Sequence, residues 1–217
     1  MLMRKSRFII ILIFLISKLH ANPGFQFKMG GNYAKFQDGD GEGKTGLFIG
    51  IEKDWNIHKR LSFISGVNYV TKGVTLKNKI VKYNSWDASV FVYDINCSIG
   101  FLDVPICIKY KIPIYKKFGL QIYWGPSLSV AAKDLSSTRL IDEYLSQETK
   151  NDLTIAELYW WRWDNSGWAL NYGFGFEWSH FVLECRYTKD KHQLKHTQGI
   201  NIRKEYETIA IICGYSL

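Results

Sequence analysis

Residues 168–178 read Trp168-Ala169-Leu170-Asn171-Tyr172-Gly173-Phe174-Gly175-Phe176-Glu177-Trp178. Successive side chains of a β-strand point to opposite faces. The stretch therefore puts Trp168, Leu170, Tyr172, Phe174, Phe176 and Trp178 on one side and Ala169, Asn171, Gly173, Gly175 and Glu177 on the other. A strand of a soluble sandwich also alternates, but it seldom sets six large groups against only small and polar ones. The pattern predicts a strand whose bulky face meets an apolar surrounding and whose small face lines a narrow interior.

The same period recurs along the chain. Residues 118–130 set Leu120, Ile122, Trp124, Pro126, Leu128 and Val130 opposite Gln121, Tyr123, Gly125, Ser127 and Ser129. Residues 181–188 set Phe181, Leu183, Cys185 and Tyr187 against Val182, Glu184, Arg186 and Thr188, and the C-terminus sets Ile209, Ile211, Cys213, Tyr215 and Leu217 against Thr208, Ala210, Ile212, Gly214 and Ser216. Weaker alternation marks 24–36, 45–55, 61–71 and 101–111, while a sustained 3.6-residue period is missing. The eight segments predict an all-β fold, an eight-stranded antiparallel up-and-down transmembrane β-barrel. About ten tilted residues suffice to cross the hydrocarbon layer, and closure leaves no unpaired edge there. Pro126 is expected at a bulge or bend, with Gly125 making room beside it.

Connections alternate in length, with short links at 56–60, 112–117 and 179–180 and long ones at 37–44, 72–100, 134–167 and 189–205. This is the signature of short periplasmic turns and long extracellular loops, and it puts both termini on the periplasmic side. Within the long connections, residues 136–146 are expected to form a short helical turn.

The amino terminus reads differently. Arg4, Lys5 and Arg7 precede an apolar stretch from Phe8 to Ile16, and Leu19-His20-Ala21 offers a small residue for cleavage. Residues 1–21 are expected to be a signal peptide and 22–217 the exported barrel domain. Removing Arg4, Lys5, Arg7 and Lys18 lowers the formal charge from +8 to +4. The remaining basic residues are scattered, so nucleic acid is not an expected partner. Aromatic residues make up 16% of the chain, yet mean hydropathy is only −0.14, because apolar and polar side chains alternate. Cys97, Cys107, Cys185 and Cys213 match no zinc or redox spacing and are expected to act as small apolar side chains, with a bridge between Cys185 and Cys213 open but unneeded.

Several stretches resemble a family of bacterial outer-membrane β-barrel proteins, the porin-family or PorT-like outer membrane protein beta-barrel domain. They are Gly24-Phe25-Gln26-Phe27-Lys28-Met29-Gly30-Gly31-Asn32-Tyr33, Phe101-Leu102-Asp103-Val104-Pro105, Tyr123-Trp124-Gly125-Pro126-Ser127-Leu128, Gly173-Phe174-Gly175-Phe176-Glu177 and Cys213-Gly214-Tyr215-Ser216-Leu217. The resemblance spans residues 24–217 and implies an eight-stranded barrel in the bacterial outer membrane, mostly without an assigned ligand. Such barrels usually end in an aromatic residue read by the assembly machinery, whereas this chain carries its aromatic, Tyr215, two residues earlier.

The inward parity carries Lys28, Glu52, Asp103, Lys109, Glu177, Glu184 and Arg186. An eight-stranded barrel is just wide enough for side chains to fill, and buried charges must be paired, so these residues are expected to form a polar network in the lumen. Glu177, Glu184 and Arg186 are expected to join on adjacent strands. A catalytic constellation is not evident: His58 and His180 fall in predicted turns and His192 and His196 in the last outer loop. Their i, i+4 spacing and the Asp38-Gly39-Asp40-Gly41-Glu42-Gly43 run both lack the rest of a metal motif, so no cofactor and no metal are expected.

Loop 134–167 holds seven acidic residues against Arg139, Lys150 and Arg162, a balance of −4, and contains Tyr159-Trp160-Trp161-Arg162-Trp163. Tyr159, Trp160, Trp161 and Trp163 are the candidate contact surface, because exposed aromatic clusters tend to mark interfaces. The first expectation is a non-enzymatic, monomeric outer-membrane barrel with a filled lumen. Its partners would be outer-membrane lipid, the barrel assembly machinery during insertion, and an extracellular or envelope protein. The alternatives are an envelope- or lipid-modifying barrel enzyme and a secreted soluble barrel that binds a small apolar ligand.

Overall fold

The structure is a computed structural model that describes residues 24–39, 41–82, 90–134, 137–143, 162–163, 166–195 and 201–217. The expected signal peptide, residues 1–21, lies outside them.

Eleven strands follow in chain order: β1 (Phe25–Phe36), β2 (Glu42–His58), β3 (Leu61–Lys82), β4 (Val90–Tyr115), β5 (Phe118–Asp134), β6 (Ser137–Glu143), β7 (Arg162–Trp163), β8 (Ser166–Trp178), β9 (Phe181–Lys195), β10 (Asn201–Lys204) and β11 (Tyr206–Ser216). Eight of them form a ring in which each pairs antiparallel with its neighbours: β1, β2, β3, β4, β5, β8, β9, β11 and back to β1. The closing ladder runs from Gln26 opposite Ser216 to Phe36 opposite Tyr206. The chain thus forms a closed eight-stranded barrel with no free edge.

The three short strands correct the expected long loops. β6 pairs with β4 beyond the end of β5, and β7 and β10 pair with the tip of β9, so each extends a barrel strand across a short break. Most of 72–100 and 189–205, and the described residues of 134–167, are therefore paired sheet, and β4 alone has 26 residues where about ten cross a membrane. Where a helical turn was expected at 136–146, the described residues 137–143 are instead β6, aligned from Asn96 opposite Ser137 to Phe91 opposite Glu143. His192, expected in a loop, lies on β9 opposite Lys204, and His58 ends β2; His196 lies outside the described residues.

At the end that carries both termini the hairpins close in two residues, Lys59-Arg60, Lys116-Lys117 and Ser179-His180. Lys116 and Ser179 take positive φ, 39° and 57°, which tight turns require.

Burial reveals two zones along the barrel. In the first, large apolar groups face outward: on β4, Leu102, Val104, Ile106, Ile108 and Tyr110 are each 37–44% exposed, while Asp103, Cys107 and Lys109 are buried. Trp168, Tyr172, Phe174, Phe176 and Trp178 of β8 do the same. Towards the opposite end of the barrel from the termini the alternation reverses. Phe36, Val74, Leu76, Ile99, Phe101 and Tyr206 turn inward and are buried, and Lys35 and Lys77 turn outward. Phe36 and Tyr206 pack with ring centroids 4.9 Å apart and planes tilted by 34°. An outward apolar band fits hydrocarbon, and the inverted zone fits water outside and a dry core inside.

One local expectation changes, and the cysteines stay unbridged. The β4–β5 ladder keeps one register from Pro105 opposite Ser127 to Ile108 opposite Trp124, so Pro126 causes no bulge. Instead Gly125 adopts φ 157° with its α-carbon against the carbonyl of Ile106, where a side chain would collide. All four cysteines are free; Cys185 pairs with Ile211 and Cys213 with Leu183, so the two are diagonal neighbours on β9 and β11.

Candidate functional site

The inward face of the membrane zone concentrates the polar chemistry, and it is arranged in three tiers. The middle tier is built from β1, β2, β9 and β5. Lys28 Nζ lies 2.5 Å from Glu52 Oε2 and 2.6 Å from Glu184 Oε2, bridging the two carboxylates. Arg186 Nη2 reaches Glu52 Oε1 at 2.8 Å and Glu184 Oε1 at 2.6 Å. Two cations and two anions thus close a four-membered ring of charge with zero formal sum, and all four side chains are at most 5% exposed.

Tyr123 of β5 locks the ring from the far wall. Its hydroxyl donates to Glu184 Oε1 at 2.5 Å and accepts from Arg186 Nε at 2.7 Å. The Arg186 guanidinium also lies over the rings of Tyr123 and Phe48, 5.2 and 5.1 Å from their centroids. Asn68 of β3 donates to Glu52 Oε1 at 2.9 Å. Small residues make this convergence fit: Gly173, opposite Tyr123 in the ladder, leaves the space that the phenol ring occupies.

The second tier lies nearer the termini. Lys109 pairs with Asp54, which also accepts from Gln26 Nε2 at 3.3 Å. Lys111 bridges Asp54 at 3.4 Å and Glu177 at 3.0 Å. Glu177 was expected to join Glu184 and Arg186. It sits lower, at the rim, with a side chain 26% exposed, because the rows of a barrel are staggered and neighbours in sequence pattern differ in height.

The third tier lies towards the inverted zone. Lys72 Nζ bridges Asp103 Oδ2 at 3.1 Å and Asp190 Oδ1 at 2.9 Å, and Ser129 donates to Asp103. Phe101 covers the ammonium 5.0 Å from its ring centroid, at the start of the apolar zone.

Of the seven residues singled out from sequence, Lys28, Glu52, Glu184 and Arg186 meet in one cluster, while Lys109, Asp103 and Glu177 enter the other tiers. Sequence reasoning missed Lys72 and Asp190, because both fell in stretches read as loops. It also passed over Asp54, which shares the inward parity of Glu52. Tyr123 was on the correct parity, and its position two residues before Gly125 on a strand otherwise lined by small groups was the available signal.

A cavity of about 10 Å³ separates the middle tier from the third, lined by Asn68, Lys72, Asp103, Ser127, Asn171 and Arg186 among others. It has room for about one water molecule. Among the described residues, no three His, Cys, Asp or Glu side chains are placed to share a metal ion. Tyr159, Trp160 and Trp161, the candidate loop surface, lie outside the described residues, and Trp163 is placed only as backbone of β7.

The chain resembles solved barrels at low identity. It shares 12% identity with the attachment invasion locus protein Ail of Yersinia pestis, solved with the heparin analogue sucrose octasulfate, over 90% of this chain and 100% of that one, at a TM-score of 0.40. Neisserial surface protein A gives 12% over 89% and 96%, at 0.41, and OprG of Pseudomonas aeruginosa 13% over 90% and 96%, at 0.41. No curated protein matches it. The family model of the outer membrane protein beta-barrel domain matches residues 21–189, which include most of the outward apolar band and of the ring of strands. The chain therefore belongs to the outer-membrane β-barrel family, and it is an eight-stranded barrel of the bacterial outer membrane.

Proposed function

We propose that this protein is a non-enzymatic, monomeric barrel whose lumen is sealed by side chains and whose work is done at its outer surface. The supporting observation is the contrast between the two zones. The interior holds a tiered ionic network around a cavity of about 10 Å³, whereas strands such as β4, with 26 residues, reach far past the roughly ten that a membrane needs. Sealing the lumen leaves the projecting sheet and its connections as the surface available to an extracellular or envelope partner. Tyr159, Trp160, Trp161 and Trp163 are the residues assigned to that contact, on the strength of their clustering in the sequence.

Outer-membrane lipid surrounds the apolar band, and insertion goes through the barrel assembly machinery. No cofactor is needed in this reading. Planar-bilayer recording tests the sealed lumen: the reconstituted protein is expected to give no conductance steps, and discrete steps from the wild type would refute it. Replacing the four aromatic residues by Ser is expected to abolish binding of the cells to the partner surface while the barrel still folds.

A further inference from the structure

The turns at the terminal end carry a charge that the lumen does not use. A cleft of about 420 Å³ opens between the β2–β3, β4–β5 and β8–β9 turns, with Lys59, Lys116 and Lys117 at its rim and Pro113, Phe118 and Leu120 along its wall. Lys111 and Glu177 also line it, but they pair with each other at 3.0 Å. That leaves three ammonium groups, none in an ion pair among the described residues, with Lys116 Nζ 5.3 Å from the centroid of the Tyr115 ring.

The cleft is a built feature of the fold. The Lys111 amide of β4 donates to the Arg60 carbonyl at 2.8 Å, which ties the β2–β3 turn to β4, and the Ser179 amide donates to the Lys117 carbonyl at 2.9 Å, which ties the β8–β9 turn to the β4–β5 turn. Exposed Tyr115, Trp178 and Phe181 stand beside it at the edge of the apolar band, the level of an interfacial girdle. A cationic rim above an apolar wall matches an amphiphile with a negative head and a hydrocarbon tail. Free phosphate would use only half of it.

We propose that this cleft seats the headgroup of a net-anionic phospholipid of the phosphatidylglycerol type. Lys59, Lys116 and Lys117 face its phosphodiester, and Phe118 and Leu120 lie along the start of its acyl chains. The assignment adds a lipid specificity to the membrane reading and depends on the turns lying at the headgroup level.

The test uses the full folded protein in phosphatidylcholine vesicles containing spin-labelled phosphatidylglycerol or spin-labelled phosphatidylcholine. The wild type is expected to select the anionic label, and the Lys59→Gln/Lys116→Gln/Lys117→Gln variant to lose about fivefold of that selectivity, as does wild type in high salt. Excess inorganic phosphate is expected not to compete. Equal selection of the two labels by the wild type, unchanged selectivity in the triple variant, or displacement by inorganic phosphate would each overturn the proposal. Lys116→Gly provides a second variant: it removes one charge and relieves the positive φ of 39°, so a loss of selectivity in it cannot be put down to misfolding. Protease access to Lys116-Lys117 in intact cells separately checks which side the turns face.

Discussion

Arg186 and Lys28 divide two buried carboxylates between them, so the loss of either leaves charge without compensation in a place water does not reach. Arg186→Ala is expected to cost about 3–5 kcal/mol, measured as a fall in the urea midpoint of the vesicle-folded protein. Glu177→Gln, at the rim, is expected to cost about 0–1 kcal/mol because its pair with Lys111 is partly solvated. Equal effects would mean that the tiers are not energetically distinct. The two glutamates also show what sequence pattern can and cannot say about single residues. Parity placed both Glu177 and Glu184 on the inner face, and both turn inward. It carries no information on height, so it joined Glu177 to Arg186 where the stagger of the strands joins it to Lys111.

At the scale of strands, Gly173 and Tyr123 illustrate how a ladder pair is made to fit: a methyl group at Gly173 would overlap the phenol ring, and that ring is held by Glu184 and Arg186. Gly173→Ala is expected to destabilise by about 1–3 kcal/mol, and by clearly less in a Tyr123→Ala background, as read from a double-mutant cycle of urea midpoints. Additive effects would show that the two residues do not meet. The strand interiors in the membrane zone were legible because bulky and small groups alternate there without interruption. The extensions were not, for a physical reason visible in Val74, Leu76, Lys35 and Lys77. Beyond the hydrocarbon edge the apolar side turns inward and the polar side outward, so the pattern changes phase. A reader following one phase sees the strand end at residue 71, whereas β3 continues to Lys82.

The whole molecule combines these zones into a barrel closed by the β1–β11 ladder, with ion pairs through the membrane zone and an apolar core above it. That eight strands close the barrel in chain order was accessible from eight alternating segments, and that Phe25 and Ser216 share one barrel end from the alternation of short and long connections. The depth of the projecting sheet was not, because β6, β7 and β10 lie in polar stretches whose pairing depends on strands already in place. The barrel closed by the β1–β11 ladder needs a membrane for its outward apolar band. Electrophoresis of the detergent-folded protein with and without boiling in SDS tests this most directly. A compact, faster-migrating form is expected that shifts to the position of the unfolded chain only after boiling. A single unchanged band, from protein that stays soluble without detergent, would contradict it.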